Sequence, residues 1–223
     1  VAAPPYIAAA LDRAPPIAAS DPGPHGVFMG YDFHLDTAGV PRLIEVNTNA
    51  GGGYLAAAGA LAHRRCCAGD PPDTDFRERV WAMFVSEWRA QRGEAALRRV
   101  AIVDRDPREQ FLHPEFELAR RHFEQHGVAA VVVDPRELEH TGGALRAGGA
   151  PVDLVYCRLT DFYLEDPEHH ALRSAFEADE VVLTPSPRHH ALYADKRDLT
   201  LYTDADEPDD ALDDHEQMLF VCI

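Results

Sequence analysis

The sequence predicts an α/β protein in which a β-hairpin and helices precede a parallel sheet covered by helices. Near residues 28–47, two apolar segments flank a short turn, the pattern of a hairpin. From residue 98 onward, short apolar strands alternate with amphipathic helices, an order typical of a parallel sheet. Ligands of such sheets bind beyond the carboxyl ends of the strands.

The length of the chain limits the number of domains, and its net charge limits the classes of binding partner. The 223 residues suffice for one large or two small domains, and the formal net charge of −17 argues against nucleic acid or an anionic membrane surface as the main partner. No apolar run approaches the length of a membrane span. The four cysteines lack CxxC spacing, which is typical of a reduced, cytoplasmic protein without structural zinc.

In the first half of the chain, we expect the candidate functional side chains to lie mainly on the second strand of the hairpin. Alternation puts Leu43, Glu45 and Asn47 on one face of that strand, and Asp32 lies on the partner strand. Two carboxylates and a carboxamide oxygen form a set that suits Mg²⁺ shared with phosphate oxygens. The alternative is a hairpin with exposed acidic residues and a turn-capping Asn47. The predicted elements here are a short helix at Ile7–Leu11, strands at Phe28–Leu35 and Leu43–Asn47, and helices at Tyr54–Arg65 and Phe76–Arg92.

A glycine run, Gly51–Gly53, opens the helix after the hairpin. Such a run exposes backbone N–H groups that can cradle an anion, although close backbone packing explains it equally well. The chain has neither a GxGxxG nor a GxxxxGK[ST] motif.

The second half is expected to form the parallel sheet, with Asp104–Asp106 and Cys157–Arg158 at the carboxyl ends of strands. Its predicted strands are Arg99–Val103, Val128–Val133, Val152–Tyr156 and Val181–Leu183; its predicted helices are Pro114–His126 and Pro167–Ala178; Thr141–Ala150 is predicted as a glycine-rich loop.

These motifs resemble those of one enzyme family. Asp-Phe, a short turn and Glu-x-Asn-Thr resemble the metal-binding hairpin of ATP-grasp ligases, and Ile44–Thr48 with its glycine cluster is similar to a segment of eukaryotic-type glutathione synthetases. Leu154–Arg158 and Ala194–Arg197 resemble the passage from a pre-ATP-grasp into an ATP-grasp domain. Because the hairpin precedes the α/β region, the order is similar to that of circularly permuted ATP-grasp enzymes.

The resemblance, which covers about residues 25–205, implies three regions. Residues 1–95 would form a partial ATP-grasp core, 96–185 a Rossmann-like pre-ATP-grasp domain, and 186–223 the start of the remaining segment with an acidic tail. Only 27 residues follow Lys196, so we expect the isolated chain to be an incomplete enzyme. Either the sequence is truncated before the lid of the ATP-grasp domain, or a homodimer or a second chain completes the site.

The implied activity is that of an ATP-dependent carboxylate–amine ligase. ATP would phosphorylate a small-molecule carboxylate, and an amine substrate would attack the acylphosphate. The cofactors would be ATP and Mg²⁺. The implied site consists of metal ligands Asp32, Glu45 and Asn47, nucleotide-binding Lys196, Gly51 and Gly52, and Arg158 as the catalytic group that grips the substrate carboxylate.

Several alternatives stay open at this point. The chain could be a non-catalytic binding or assembly module with the same fold, or a Mg²⁺-dependent phosphohydrolase that uses the same carboxylates. Lys196 could be a solvated lysine, and Arg158 could form a strand-end salt bridge.

Overall fold

The computed structural model of the chain describes residues 4–66 and 76–197. The helices are α1 (Pro4–Asp12), α2 (Gly53–Cys66), α3 (Phe76–Arg92), α4 (His113–Gln125), α5 (His170–Glu177) and α6 (Pro187–Tyr193). The strands are β1 (Gly30–Leu35), β2 (Pro41–Asn47), β3 (Arg99–Val103), β4 (Ala129–Val133), β5 (Leu138–His140), β6 (Leu145–Ala147), β7 (Ala150–Pro151), β8 (Leu154–Cys157) and β9 (Val182–Thr184).

The central element is a four-stranded parallel sheet with the order β4-β3-β8-β9. The α/β architecture expected from the alternating strands and helices is thereby confirmed. The chain leaves β3 to form β4 on one side and later returns to form β8 on the other side of β3. The carboxyl ends of β3 and β8 therefore flank the point where the strand order reverses, which is where open α/β sheets bind ligands.

Alternate residues of each strand face two separate apolar layers, because side chains of a strand point to opposite faces. On one face, Val100 and Ile102 pack with α3 and α4 through residues such as Phe84 and Phe123. On the other face, Ala101 and neighbouring strand residues pack with α5 and with the small sheet β5–β7. Helix α3 precedes the domain boundary expected at residue 95, yet it packs in the same apolar layer as the parallel sheet. That boundary stays a prediction.

The hairpin β1–β2 is antiparallel and pairs Asp32 with Glu45. The register shifts between Asp32 and Phe33, so that Phe33 pairs with Leu43 and Ile44 is the additional residue in β2. The expected alternation from Leu43 to Glu45 is therefore interrupted at Ile44. Beyond the shift, Gly30 pairs with Asn47, which keeps Asn47 on the same face as Glu45.

The predicted glycine-rich loop at Thr141–Ala150 is wrong, since β5, β6 and β7 form a three-stranded antiparallel sheet there. Its glycines belong to the two tight turns. Gly142 and Gly143 have φ of 62° and 72°, and Gly148 and Gly149 have φ of 58° and 77°. Two successive residues in this left-handed region suit two-residue hairpin turns, which favour glycine.

Within the described ranges, no helix combines the length and apolar character needed to cross a bilayer. The acidic tail expected at Asp204–Glu216 lies outside the described residues. Of the four cysteines, Cys157 is a buried free thiol, and burial raises its pKa to about 12.

Candidate functional site

The predicted metal ligands converge on one face of the hairpin. The side-chain amide of Asn47 donates from Nδ2 to Asp32 Oδ2 and to Glu45 Oε1, at 3.4 Å each. The two carboxylates thus approach a common point across the β1–β2 pair. Asp32 and Asn47 are exposed, so ligands in solution have access to this point.

Lys196 joins this cluster from the far end of the described chain. Helix α6 ends at Tyr193, and the turn after it brings Lys196 Nζ to 2.6 Å from Glu45 Oε2. The ammonium group of Lys196, followed by the Asn47 amide, holds the pKa of Glu45 below its usual range. One signal in the sequence marks this residue, because Lys196 is the only lysine among 21 Lys and Arg residues. Every other cationic side chain of that set is arginine.

A cleft of about 780 Å³ runs along β1 beside the cluster. Asp32 and Asn47 form part of its polar wall, and the aromatic side chains of Phe28, Tyr31 and Phe33 contribute an apolar wall. Its volume falls within the range of small-molecule and cofactor sites, and its mixed lining suits a ligand with both a flat apolar part and a charged part.

The glycine run Gly51–Gly53 contributes to the same cleft. The backbone N–H groups at the start of α2, which begins at Gly53, already donate to a side chain of the protein. The carboxylate of Glu115, on α4, accepts hydrogen bonds from the N–H groups of Tyr54 at 3.0 Å and Leu55 at 2.8 Å. Glu115 is only 1% exposed and supplies the negative charge that a helix amino terminus favours. Any phosphate contact of Gly51 and Gly52 must therefore use the loop itself, and their assignment as nucleotide ligands stays a prediction.

Arg158 connects the parallel sheet to that loop. Its Nη1 donates to the carbonyl oxygens of Asn49 at 2.7 Å and Ala50 at 2.8 Å. Arg158 is 7% exposed, and its Nε is buried without a hydrogen-bond partner. A β-carbon added to Gly51 would lie 2.8 Å from Arg158 Nη2, so the loop and the guanidinium are in close contact. Part of the Arg158 guanidinium thus positions the loop. Binding of a substrate carboxylate by Arg158 stays a prediction.

Asp104 also lies at the carboxyl edge of the parallel sheet, as the sequence predicts. The sequence assigns it no function. It follows β3 directly, and its Oδ1 accepts from the N–H of Arg105 at 2.8 Å. Burial raises the pKa of Asp104 to about 6, and the nearby Arg158 partly offsets this increase. A carboxylate and a guanidinium therefore flank the reversal of strand order between β3 and β8.

The hairpin cluster fits a hard divalent cation only in part. Two carboxylates and one amide suit Mg²⁺, which commonly takes one or two protein carboxylates and completes its octahedron with water and phosphate oxygens. A half-turn of the Asn47 amide presents Oδ1 where Nδ2 now lies. Within residues 4–66 and 76–197, no group of three His, Cys, Asp or Glu side chains converges to hold a metal ion.

Four side chains, Asp32, Glu45, Asn47 and Lys196, form the candidate site together with the cleft beside them. Two separate strands and a distant turn contribute to that group, and none of the four is needed for the apolar core. Neither protein-family models nor curated proteins match the chain.

Proposed function

We propose that this protein is an ATP-dependent carboxylate–amine ligase of the ATP-grasp type, with its Mg²⁺–nucleotide site at the hairpin. One observation carries the proposal: Lys196 lies 2.6 Å from Glu45, on the hairpin face that also presents Asp32 and Asn47. A lone lysine beside two carboxylates supports a site that handles both a divalent cation and phosphate.

Each hairpin residue has a distinct role in this proposal. Asp32 and Glu45 hold Mg²⁺, which when bound cancels negative charge on the β- and γ-phosphate oxygens. Asn47 orients both carboxylates from one point, as its two hydrogen bonds at 3.4 Å indicate. Lys196, with its side chain 67% exposed, turns from Glu45 toward phosphate when a nucleotide enters.

Two side chains at the carboxyl edge of the parallel sheet support binding of the other two substrates, the carboxylate and the amine, at that edge. Arg158, directly after β8, donates to the loop that follows Asn47, and Asp104 lies close enough to feel its charge. The Arg158 guanidinium suits a substrate carboxylate, and the Asp104 carboxylate suits an ammonium group. In the reaction, a carboxylate oxygen attacks the γ-phosphorus and releases ADP; the amine nitrogen then attacks the acyl carbon and releases phosphate.

The single lysine permits a direct test of the nucleotide site. Acylation with an amine-reactive ester, followed by peptide mass spectrometry, reports on Lys196 and on the α-amino group separately. At a Mg·ATP concentration ten times its Kd, we expect the Lys196 reaction to slow about tenfold while the α-amino reaction is unchanged. AMP should give little protection, because it lacks the β- and γ-phosphates.

Variants identify the source of the protection. Asp32→Asn should reduce the protection to about twofold or less, whereas Glu177→Gln, which removes an exposed carboxylate on α5, should preserve it. Equal Lys196 reactivity with and without Mg·ATP would overturn the proposed nucleotide site.

A second measurement separates the ligase from its rivals. Mixtures of small carboxylic acids and amines are added to the protein with Mg·ATP, and ADP and phosphate are measured. A ligase forms ADP only when both an acid and an amine are present. Phosphate release without either substrate would identify a phosphohydrolase. Protection of Lys196 without any turnover fits both a nucleotide-binding module and a ligase whose site a further segment or chain completes.

A further inference from the structure

Two histidines at the carboxyl end of α4 have their ring nitrogens close together. His122 lies in the last turn of the helix and His126 caps it, so both side chains lie on one face. Their Nε2 atoms are 3.2 Å apart. This pair shares no residue with the hairpin cluster.

Neighbouring side chains hold both rings in place. Nδ1 of His122 lies 2.8 Å from the hydroxyl oxygen of Tyr54, which is itself 3% exposed. The His126 ring stacks on Trp81 of α3, with centroids 4.3 Å apart and an angle of 4° between the planes. A hydrogen bond to the remote ring nitrogen and a stacked ring are the kinds of support that orient metal-binding histidines.

The separation of the two nitrogens suits coordination to one ion. Metal–nitrogen bonds of about 2.0–2.1 Å place two nitrogens of one ion about 2.9–3.4 Å apart for angles between square-planar and tetrahedral. With Nδ1–H donating to the Tyr54 oxygen, the His122 Nε2 lone pair accepts from His126 Nε2–H at 3.2 Å, and it is released for coordination when His126 takes the tautomer with its proton on Nδ1.

We propose that His122 and His126 form a two-histidine chelate for a divalent transition-metal ion, with Cu²⁺ bound most tightly. Imidazole ligands suit Cu²⁺, Ni²⁺ and Zn²⁺, and Cu²⁺ ranks first in affinity among these ions. No third His, Cys, Asp or Glu joins the pair within the described part of the chain, so water completes the coordination shell. The guanidinium of Arg77 is nearby but exposed, and the formal net charge of −17 favours cations overall.

Trp81 supplies a reporter for this site, because bound Cu²⁺ quenches the fluorescence of an indole in contact with its ligand. The sequence has only two tryptophans, Trp81 and Trp88. Titration of the whole protein with Cu²⁺ should give saturable quenching with one ion per chain. Addition of Zn²⁺, which does not quench, should restore the fluorescence by competition.

Three variants test the assignment. His126→Gln should weaken the Cu²⁺ affinity at least about tenfold, and Tyr54→Phe, which removes the partner of His122 Nδ1, should weaken it by about the same factor. His170→Gln removes an exposed histidine of α5 and should leave the affinity unchanged. Trp81→Phe should abolish the quenching while calorimetry still detects one bound ion.

Quenching of equal affinity in the wild-type protein and in His126→Gln would overturn the chelate, as would quenching that does not saturate. Circular dichroism of each variant shows whether its fold is retained. If His126→Gln unfolds, the Tyr54→Phe titration decides, since an unchanged affinity there contradicts the proposed orientation of His122.

Discussion

Arg158 and Asn49 fasten the carboxyl edge of the parallel sheet to the loop behind the hairpin. Arg158 Nη1 donates to the carbonyl oxygen of Asn49 at 2.7 Å, and Asn49 Nδ2 donates to the carbonyl oxygen of Leu159 at 3.1 Å. The bonds run in opposite directions between the same two segments, so the loop that follows Asn47 is held at two points. The hairpin cluster thereby has a fixed position relative to the sheet.

This contact predicts a loss of stability for Arg158→Lys. An ammonium group lacks the planar fork, and the half-buried carbonyl oxygens of Asn49 and Ala50 would lose a charged donor. We expect the free energy of unfolding, measured with urea, to fall by about 2 kcal/mol. Arg173→Lys, at the exposed pair with Glu177 on α5, should change it by less than about 0.5 kcal/mol. Equal effects of the two substitutions would contradict a fastening role for Arg158.

At the hairpin, Asp32→Asn and Glu45→Gln should each weaken Mg²⁺-dependent nucleotide binding at least about tenfold, as expected for the loss of a metal-associated carboxylate. Their fold should be retained because neither residue belongs to the apolar core. Calorimetric titration with ATP, with and without Mg²⁺, measures this effect.

Asp36→Asn is the matched control for both substitutions. Asp36 lies at the tip of the same hairpin, where it pairs with Arg42 at 3.0 Å. Its substitution should leave the affinity for Mg·ATP unchanged. The metal assignment is wrong if all three variants bind Mg·ATP as the wild-type protein does.

Asp104 should make stability depend on pH in the weakly acidic range. Its pKa is raised to about 6 in the folded protein from an ordinary 3.8, so the folded state keeps a proton that the unfolded state has already lost. Stability should therefore decrease as pH rises from about 4 to 6. Because Asp104 is half-buried, we expect the ionised carboxylate to cost on the order of 1 kcal/mol at pH 7.

Asp104→Asn removes this titration. The variant should be more stable than the wild-type protein at pH 7 and about equally stable near pH 4, as measured by urea unfolding across that range. Curves for the two proteins that stay parallel from pH 4 to 7 would show that Asp104 does not titrate in this window.

Substitution of Glu115 should lower the free energy of unfolding more than substitution of most other polar residues. It is 1% exposed and accepts from two backbone N–H groups at the start of α2. Glu115→Gln replaces one acceptor oxygen with an amide that cannot accept, leaving a buried N–H without a partner. We expect a loss of about 2–3 kcal/mol in the free energy of unfolding. Glu117→Gln, at a half-buried position two residues along the same helix, should lose less than about 1 kcal/mol, and similar losses would exclude the capping role.

The main elements follow from local patterns. Helix α3 was predicted with the same bounds, and the four strands of the parallel sheet were predicted to within two residues at nearly every end. The hairpin and the position of Asp32 on the strand opposite Glu45 were also predictable. These features depend on hydrophobic periodicity and on turn residues, which are properties of neighbouring positions. The glycine pairs of β5–β7 were predictable as turns too, but their high density made the segment resemble a loop.

By itself, the sequence determined the α/β elements, the hairpin carboxylates and the residues at the strand ends. Tertiary structure alone decided that Lys196 meets Glu45, that Glu115 occupies the start of α2, and that Arg158 uses Nη1 on the loop. It also brought the two histidines of α4 between Tyr54 and Trp81. The physical reason is that each of these contacts joins segments far apart in the chain. Their approach depends on how helices and loops pack on the sheet, and no local pattern encodes that packing.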